Sequence, residues 1–474
     1  MSWTQGYYAS EGYTYGFCSE LAPARLALTA LLAGHTPPNL RRSFRYLDLG
    51  CGQGLNLCLL AATHPQAQFV GVDFLPDHIA HGRSLAAAAG LANIIFVEAD
   101  FQSLAAAASS GNNSPLGGEP FDFAVAHGIL TWIAPDLQQA VLELASCSLR
   151  PGGLLFLSAN TLPGWLDRLA LQHLATGNLQ RGHHGPKALE QAIGLCEQLR
   201  QAQAGLFRYF PTLTPALDAL AGRSPAYLRQ EYLNQHWQPL FADQLLSLAQ
   251  AHKFSFLASA TLHDRFDGLL PGEQQQLIAA QDDPSRRELV RDLILGQAFR
   301  KDVFAKGFQP LWGKEQQSQI NALQLVSLTP MEQLADSGLY SLQLGIGPRQ
   351  ASEDNLRPIL ELISEEPCSL AQICEVLARR AGSPATAWRS RVFDRVLLLL
   401  ASGLAAVVPD PNVDPAPAQR LNQQLVQAIA DGAPYAALAA PTIGNGWPWR
   451  PGSDSRHPDQ HPELLERLGI TAAA

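Results

Sequence analysis

The chain has 474 residues, 47% of them hydrophobic, with 33 basic against 42 acidic residues and a net charge of −9. At about 150 residues per domain this length implies roughly three domains, and no run approaches the roughly 18 apolar residues that a membrane helix needs. The acidic balance argues against non-specific nucleic-acid binding, which rests on phosphate neutralisation, and the seven scattered cysteines, without a CxxC spacing, are expected as reduced thiols.

The first residues, Met1-Ser2-Trp3-Thr4-Gln5, lack the basic-then-apolar order of a signal peptide, so a cytoplasmic protein is expected. Tyr7, Tyr8, Tyr13, Tyr15 and Phe17 follow, an aromatic segment suited either to a lid over a ligand or to packing on a sheet edge. An amphipathic helix is predicted from about 23 to 33, ended by Pro37-Pro38. The strand Tyr46-Leu47-Asp48-Leu49 then runs into the alternating glycines Gly50, Gly52 and Gly54 and a helical run over 55–62. Nineteen residues past Gly54, the strand Phe69-Val70-Gly71-Val72 ends in Asp73, and a third, Ile94-Ile95-Phe96-Val97, ends in Glu98-Ala99-Asp100-Phe101. Helices over 77–89 and 137–149, a surface loop over 109–115, and strands over 121–126 and 154–157 complete an alternation of strand and helix. In a doubly wound sheet the strand-end residues gather beside the switch point. Glycines there let a ligand approach the backbone, and a carboxylate ending the second strand accepts from both ribose hydroxyls. The set predicts a nucleoside cofactor.

After Trp165 the pattern turns helical, over 189–204, 227–233 and 241–252, before the strand-like Ser255-Phe256-Leu257. From about 352 a smaller unit follows, with helices over 355–364, 369–379 and 388–402, then Gly403 and a strand over 404–408. Three helices then a strand is a winged-helix-like order. Its basic third helix runs into four leucines among acidic neighbours, which favours protein packing over DNA reading. A proline-rich linker spans 410–417, and the acids Asp264, Asp267, Asp282 and Asp283 read as solvated loop residues.

The dinucleotide fingerprint needs a third glycine two residues further on, and Asp48 would repel a pyrophosphate. It suits a cation such as the ammonium of a methionine moiety. The G-x-G-x-G turn resembles motif I of class I S-adenosylmethionine-dependent methyltransferases. That resemblance implies S-adenosylmethionine as cofactor, with Asp73 at the ribose and Asp100-Phe101 at the adenine. Phe74, next to Asp73, and Tyr15 complete the expected cofactor contacts. Pro151-Gly152-Gly153 before an apolar strand fits the same family.

Further segments extend the likeness: His127-Gly128 with Trp132, Asn160 with Pro163-Gly164-Trp165, Glu231-Tyr232-Leu233-Asn234, Trp237, and Leu421-Asn422 with Pro441-Thr442-Ile443-Gly444. They resemble a bacterial family with a class I methyltransferase domain, a regulatory domain and a C-terminal extension, similar to the rickettsial-type protein-lysine methyltransferases. The expected fold is α/β: a Rossmann-like sheet with an aromatic lid over 1–200, a mostly helical regulatory domain over 201–312, and a winged-helix-like unit with a tail over 313–474. The expected reaction is N-methylation of lysine on a protein. His127 is the expected base or orienting group, Asn160 orients an amine hydrogen, and Trp132 and Trp165 wall a dry pocket that disfavours the charged amine. The family favours rings where this chain has Leu130 and Ala159, and both changes are expected to enlarge the pocket, which would admit a small-molecule acceptor. A cofactor-sensing protein without turnover is the non-enzymatic alternative. No metal is expected, since His183-His184 lacks partner ligands at useful spacing. A chain ending near residue 200 is expected to keep the cofactor site and lose transfer to a macromolecular acceptor.

Overall fold

The computed structural model describes residues 4–8, 15–110, 115–344, 347–449 and 461–470. Tyr13 and most of the expected loop after the third strand, residues 111–114, lie outside them. Helix α1 (Pro23–Leu32) starts on a proline, whose missing N–H costs nothing in a first turn. Strand and helix then alternate: β1 (Arg45–Leu49), α2 (Leu55–Thr63), β2 (Gln68–Asp73), α3 (Pro76–Ala88) and β3 (Ile94–Glu98). They continue as α4 (Phe101–Ser110), β4 (Phe121–Ala126), α5 (Pro135–Ser148) and β5 (Leu149–Asn160). These five strands are parallel, and their apolar runs need cover on both faces. Leu57, Leu59 and Ile79 cover Phe69, Phe123 and Phe156 on one face. Leu104, Val141 and Leu144 cover Leu47, Val70 and Leu155 on the other.

Beyond β5 come α6 (Leu169–Gln180), α7 (Gly185–Gln201), α8 (Gly205–Tyr209), α9 (Leu213–Leu220) and α10 (Pro225–Leu233). They enclose a core of their own in which Leu171, Leu189, Leu213 and Leu228 meet Trp165 and Trp237. Next are α11 (Ala242–Ala251), β6 (Phe254–Ser259), α12 (Gly272–Ala279), α13 (Pro284–Leu295) and β7 (Phe299–Lys306). The region over 201–312 is mostly helical, and it also completes the first sheet. Strand β7 inserts antiparallel between β5 and β6, giving the order β3-β2-β1-β4-β5-β7-β6. The expected boundary at 200 therefore cuts a continuous sheet, because β5 pairs with β7 rather than ending as an open edge. Asp264 and Asp267 also depart from expectation. Asp264 accepts from the Ser259 hydroxyl at 2.9 Å, and Asp267 pairs with Arg291 at 2.8 Å.

The C-terminal part holds α14 (Gly313–Asn321), β8 (Gln324–Ser327), β9 (Ser341–Leu344), β10 (Gly347–Gln350) and α15 (Glu353–Glu365). It continues with β11 (Cys368–Ser369), α16 (Leu370–Arg380), α17 (Arg389–Ala401) and β12 (Ala405–Val408). The expected three helices and closing strand are present. Their sheet, ordered β11-β8-β12, takes its middle strand from upstream of the first helix. The tail, α18 (Ala416–Ala430), β13 (Ala437–Ala440), β14 (Asn445–Pro448) and α19 (Pro462–Arg467), returns to the first domain. Leu421, Leu425 and Leu438 join Leu57 and Leu59 in one core, so the tail covers the helix that leaves the glycine turn. Asn422 anchors it by donating to the Ala439 carbonyl at 2.9 Å and accepting from the Ala439 N–H at 2.7 Å. Among the described residues no helix is long and apolar enough to cross a membrane.

Candidate active site

The glycine turn shows why this sequence was needed. Gly52 holds φ at 54°, a left-handed value that side chains resist, and no atom lies within 4 Å of where its Cβ would stand. The empty space is a cavity. The Gly52 N–H donates to Asp73 Oδ2 at 2.9 Å, the Leu75 N–H donates to Oδ1 at 2.9 Å, and His78 Nδ1 lies 3.3 Å from the same carboxylate. Asp73 is thus buried but held in place at the end of β2. At Gly54 a Cβ would stand 2.7 Å from the Phe96 ring, so that glycine also serves the packing of α2.

A cavity of about 820 Å³ opens at the carboxyl ends of the parallel strands. Gly50, Gly52, Asp73, Phe74 and Phe101 form one side, and His127, Trp132, Asn160 and Trp165 form the other. Two smaller spaces adjoin it. One of about 150 Å³ is bounded by Phe17, Asp48, Gly50, Gly52 and Gly54, and one of about 40 Å³ by Tyr7, Phe74, Asp100 and Phe101. Burial, then the nearby Asp73, pushes the Asp48 carboxyl up to about 7. Burial also acts to raise Asp100, but hydrogen bonds from the Ser103 N–H and hydroxyl outweigh it and hold that carboxyl below its ordinary value.

On the far side, His127 Nδ1 pairs with the Ser158 hydroxyl at 2.9 Å, and that hydroxyl accepts from the Gly128 N–H at 2.7 Å. Burial, reinforced by Lys301, pushes His127 down to about 4, so the imidazole is neutral at pH 7. The segment from Asn160 to Trp165 is stitched to the start of β7. The Trp165 indole N–H and the Thr161 N–H both donate to the Ala298 carbonyl at 2.8 Å, and a Cβ on Gly164 would stand 2.5 Å from Ala298 Cα. No other residue fits position 164 without moving that strand.

The Asn160 amide donates to Glu231 Oε1 at 2.7 Å, and the Trp237 indole N–H reaches the same oxygen at 3.4 Å. Glu231 is only 4% exposed yet lines the main cavity beside Tyr227, Trp132 and Trp165. In the sequence it stands within the resembling segment Glu231-Tyr232-Leu233-Asn234, and nothing there marks it as a site residue. Its partner is 71 positions away, and no local pattern joins them.

Tyr15 alone among the expected cofactor contacts lines none of these three spaces. Its ring lies 4.9 Å from His81 and 5.2 Å from Tyr435 of the tail. Earlier in the same segment, Tyr7 meets Phe74 edge-on at 5.7 Å, and the Tyr8 N–H donates to Asn234 Oδ1 at 2.8 Å. The segment therefore both walls the cavity and packs on α10. Leu130 and Ala159 correct a further expectation. Both are fully buried in the sheet core with Leu142 and Leu157, and neither lines the cavity, so their small size does not enlarge it.

Comparison with known proteins bears on the family and the fold. A family model described as "Methyltransferase domain" matches residues 40–198, and one described as "Predicted methyltransferase regulatory domain" matches residues 224–306. The uncharacterized protein sll1526 of Synechocystis is 33% identical over 378 residues, spanning 79% of this chain and 72% of that protein. The uncharacterized protein RP789 of Rickettsia prowazekii is 25% identical over 61% of this chain and 50% of its own length. Among solved structures, PKMT2 from Rickettsia typhi in complex with AdoHcy superposes with a TM-score of 0.64 at 21% identity, covering 83% of this chain and 77% of that one. Such a likeness establishes the fold. The chain belongs to the class I S-adenosylmethionine-dependent methyltransferases that carry a methyltransferase regulatory domain.

Proposed function

We propose that the chain transfers the methyl group of S-adenosylmethionine to a lysine side chain on a protein. The observation that carries this reading is the end of the cavity formed by Glu231, Asn160, Trp132 and Trp165. A buried carboxylate walled by indole rings suits an ammonium, through charge and through the ring faces. The likeness to the rickettsial-type enzymes supports the same acceptor. In this reading Asp73 holds the ribose, Phe74, Asp100 and Phe101 bound the adenine, and Asp48 faces the methionine ammonium.

The reaction is an in-line displacement, so alignment of nitrogen, methyl carbon and sulfur supplies much of the acceleration. The acceptor first sheds a proton, for which the Glu231 carboxylate or the neutral His127 is available. Its lone pair then forms the C–N bond as the C–S bond breaks, leaving S-adenosylhomocysteine. Asn160, fixed by Glu231, directs its amide oxygen at the amine.

Labelled methyl transfer into a lysate, separated into protein, nucleic acid and small molecules, tests the reading: label is expected in protein. Label confined to small molecules would remove the protein acceptor, and none in any fraction would favour a sensor without turnover. For the cofactor, Asp73→Ala is expected to weaken S-adenosylhomocysteine binding by about 3 kcal/mol, roughly a hundredfold, through two lost charge-assisted hydrogen bonds. Calorimetric titration of the folded variant checks it, and unchanged affinity refutes the ribose assignment.

A further inference from the structure

The direction in which the cofactor runs is set by its nucleoside end. With the ribose at Asp73 and the adenine among Phe74, Asp100 and Phe101, the amino-acid end leaves in the opposite direction, past Gly52 and Gly50. It there meets the small space bounded by Asp48, Phe17, Cys18 and His127. Cys18 and His127 line this space and the main cavity alike, and so mark the junction between them.

An α-amino acid brings one ammonium and one carboxylate. Asp48 supplies a carboxyl for the first, and an ammonium beside it favours the charged form. The second needs a cation, and among the described residues that line the two cavities only Arg223 and Lys301 are lysine or arginine. Arg223 stands over the Tyr227 ring, 5.8 Å from its centroid, on the helical layer that also bears Glu231. Lys301 stands on β7 opposite Ser158 of β5, the residue whose hydroxyl pairs with His127. Its ammonium lies 2.7 Å from Glu20 Oε1, and the other oxygen of Glu20 accepts from the Ser19 hydroxyl at 3.1 Å and the Cys18 thiol at 3.3 Å. An ammonium has three N–H donors, and Glu20 takes one of them. Burial acts to lower the Lys301 ammonium, but Cys18 and Glu20 beside it outweigh that and hold it above its ordinary value.

We propose that Lys301, positioned by Glu20, binds the carboxylate of the methionine moiety of S-adenosylmethionine. A strand from the regulatory region then contributes directly to cofactor binding and helps fix where the sulfonium points. The proposal rests on the cofactor and not on the identity of the acceptor.

Calorimetric titration with three ligands tests it: S-adenosylhomocysteine, its decarboxylated analogue, and methylthioadenosine, which keeps the nucleoside and lacks the amino acid. Lys301→Met is expected to weaken S-adenosylhomocysteine roughly tenfold or more and to leave methylthioadenosine unchanged. The decarboxylated analogue should bind the parent protein as weakly as S-adenosylhomocysteine binds the variant, and lose nothing further in the variant. Lys301→Arg should recover part of the loss. Unchanged S-adenosylhomocysteine affinity, or an equal fall for methylthioadenosine, would overturn the assignment. If Lys301→Met does not fold, equal affinity of the parent protein for S-adenosylhomocysteine and its decarboxylated analogue overturns it as well.

Discussion

A chain ending after residue 200 is expected to yield no folded protein that binds S-adenosylhomocysteine. Strand β7 pairs with β5 from Leu154 opposite Ala305 to Asn160 opposite Phe299, and β6 pairs with β7 in turn. Cutting at 200 leaves β5 from Leu154 to Asn160 as an open, apolar edge, which invites aggregation. The loss from the core is of the same order as the stability of a domain. Leu245, Leu246, Phe254, Val303 and Phe304 are all buried. At about 2 kcal/mol each, their removal compares with a whole-domain stability of about 5–15 kcal/mol. Circular dichroism and calorimetry on the truncated chain, beside one ending after β7, check the outcome. A soluble 200-residue chain with parental affinity for S-adenosylhomocysteine would show that the last two strands are dispensable.

The contrast with the expectation from sequence has a physical cause. Strands β1 to β4 were legible because each is an apolar run ending in a polar residue, and their observed bounds lie within about one residue of those expected. Strand β7 was not, because Phe299-Arg300-Lys301-Asp302 does not read as a strand in a sheet interior. Its charges are neutralised by partners on the same strand and on α13 and, for Lys301, by one far away in sequence. Arg300 bonds Asp302 at 2.7 Å, Asp292 at 2.6 Å and Glu288 at 2.9 Å, while Lys301 reaches back to Glu20. A buried charge is tolerated when paired and hydrogen-bonded, and pairing of this kind leaves no periodic trace.

The candidate site divides along the same line. Gly50, Gly52, Asp73, Phe74, Asp100 and Phe101 sit at strand ends, so the sheet pattern alone brought them together. Glu231 and Lys301 belong to a helix and a strand added after β5, and only the tertiary structure sets them opposite Asn160 and His127. Tyr15 shows the converse. It is an expected cofactor contact, but its ring is held by His81 and Tyr435, and His81 in turn contacts the Gln53 carbonyl of the glycine turn at 2.5 Å. Its part in the site is indirect support of that turn.

Glu231→Gln is expected to lower methyl transfer by roughly a hundred- to a thousandfold, the range of a positioned proton-accepting group, while S-adenosylhomocysteine affinity stays unchanged. The substitution isolates charge from geometry. A glutamine carbonyl still accepts from the Asn160 amide and the Trp237 indole, so the hydrogen bonds seen at 2.7 and 3.4 Å survive. What disappears is the anion that, in the reading proposed above, draws an ammonium into an aromatic pocket. Burial pushes the Glu231 carboxyl above its ordinary value, against the hydrogen bonds from Asn160 and Trp237 that act to lower it. The carboxylate is therefore lost, as pH falls, at a higher pH than an exposed glutamate with its value of about 4.3. The parent enzyme should show an acid limb displaced upward in its transfer rate, and the variant should lack that limb. Transfer rates across pH, measured with the lysate acceptor and labelled cofactor, provide the check. A variant that transfers at the parental rate with the same acid limb would show that the acceptor amine does not meet Glu231.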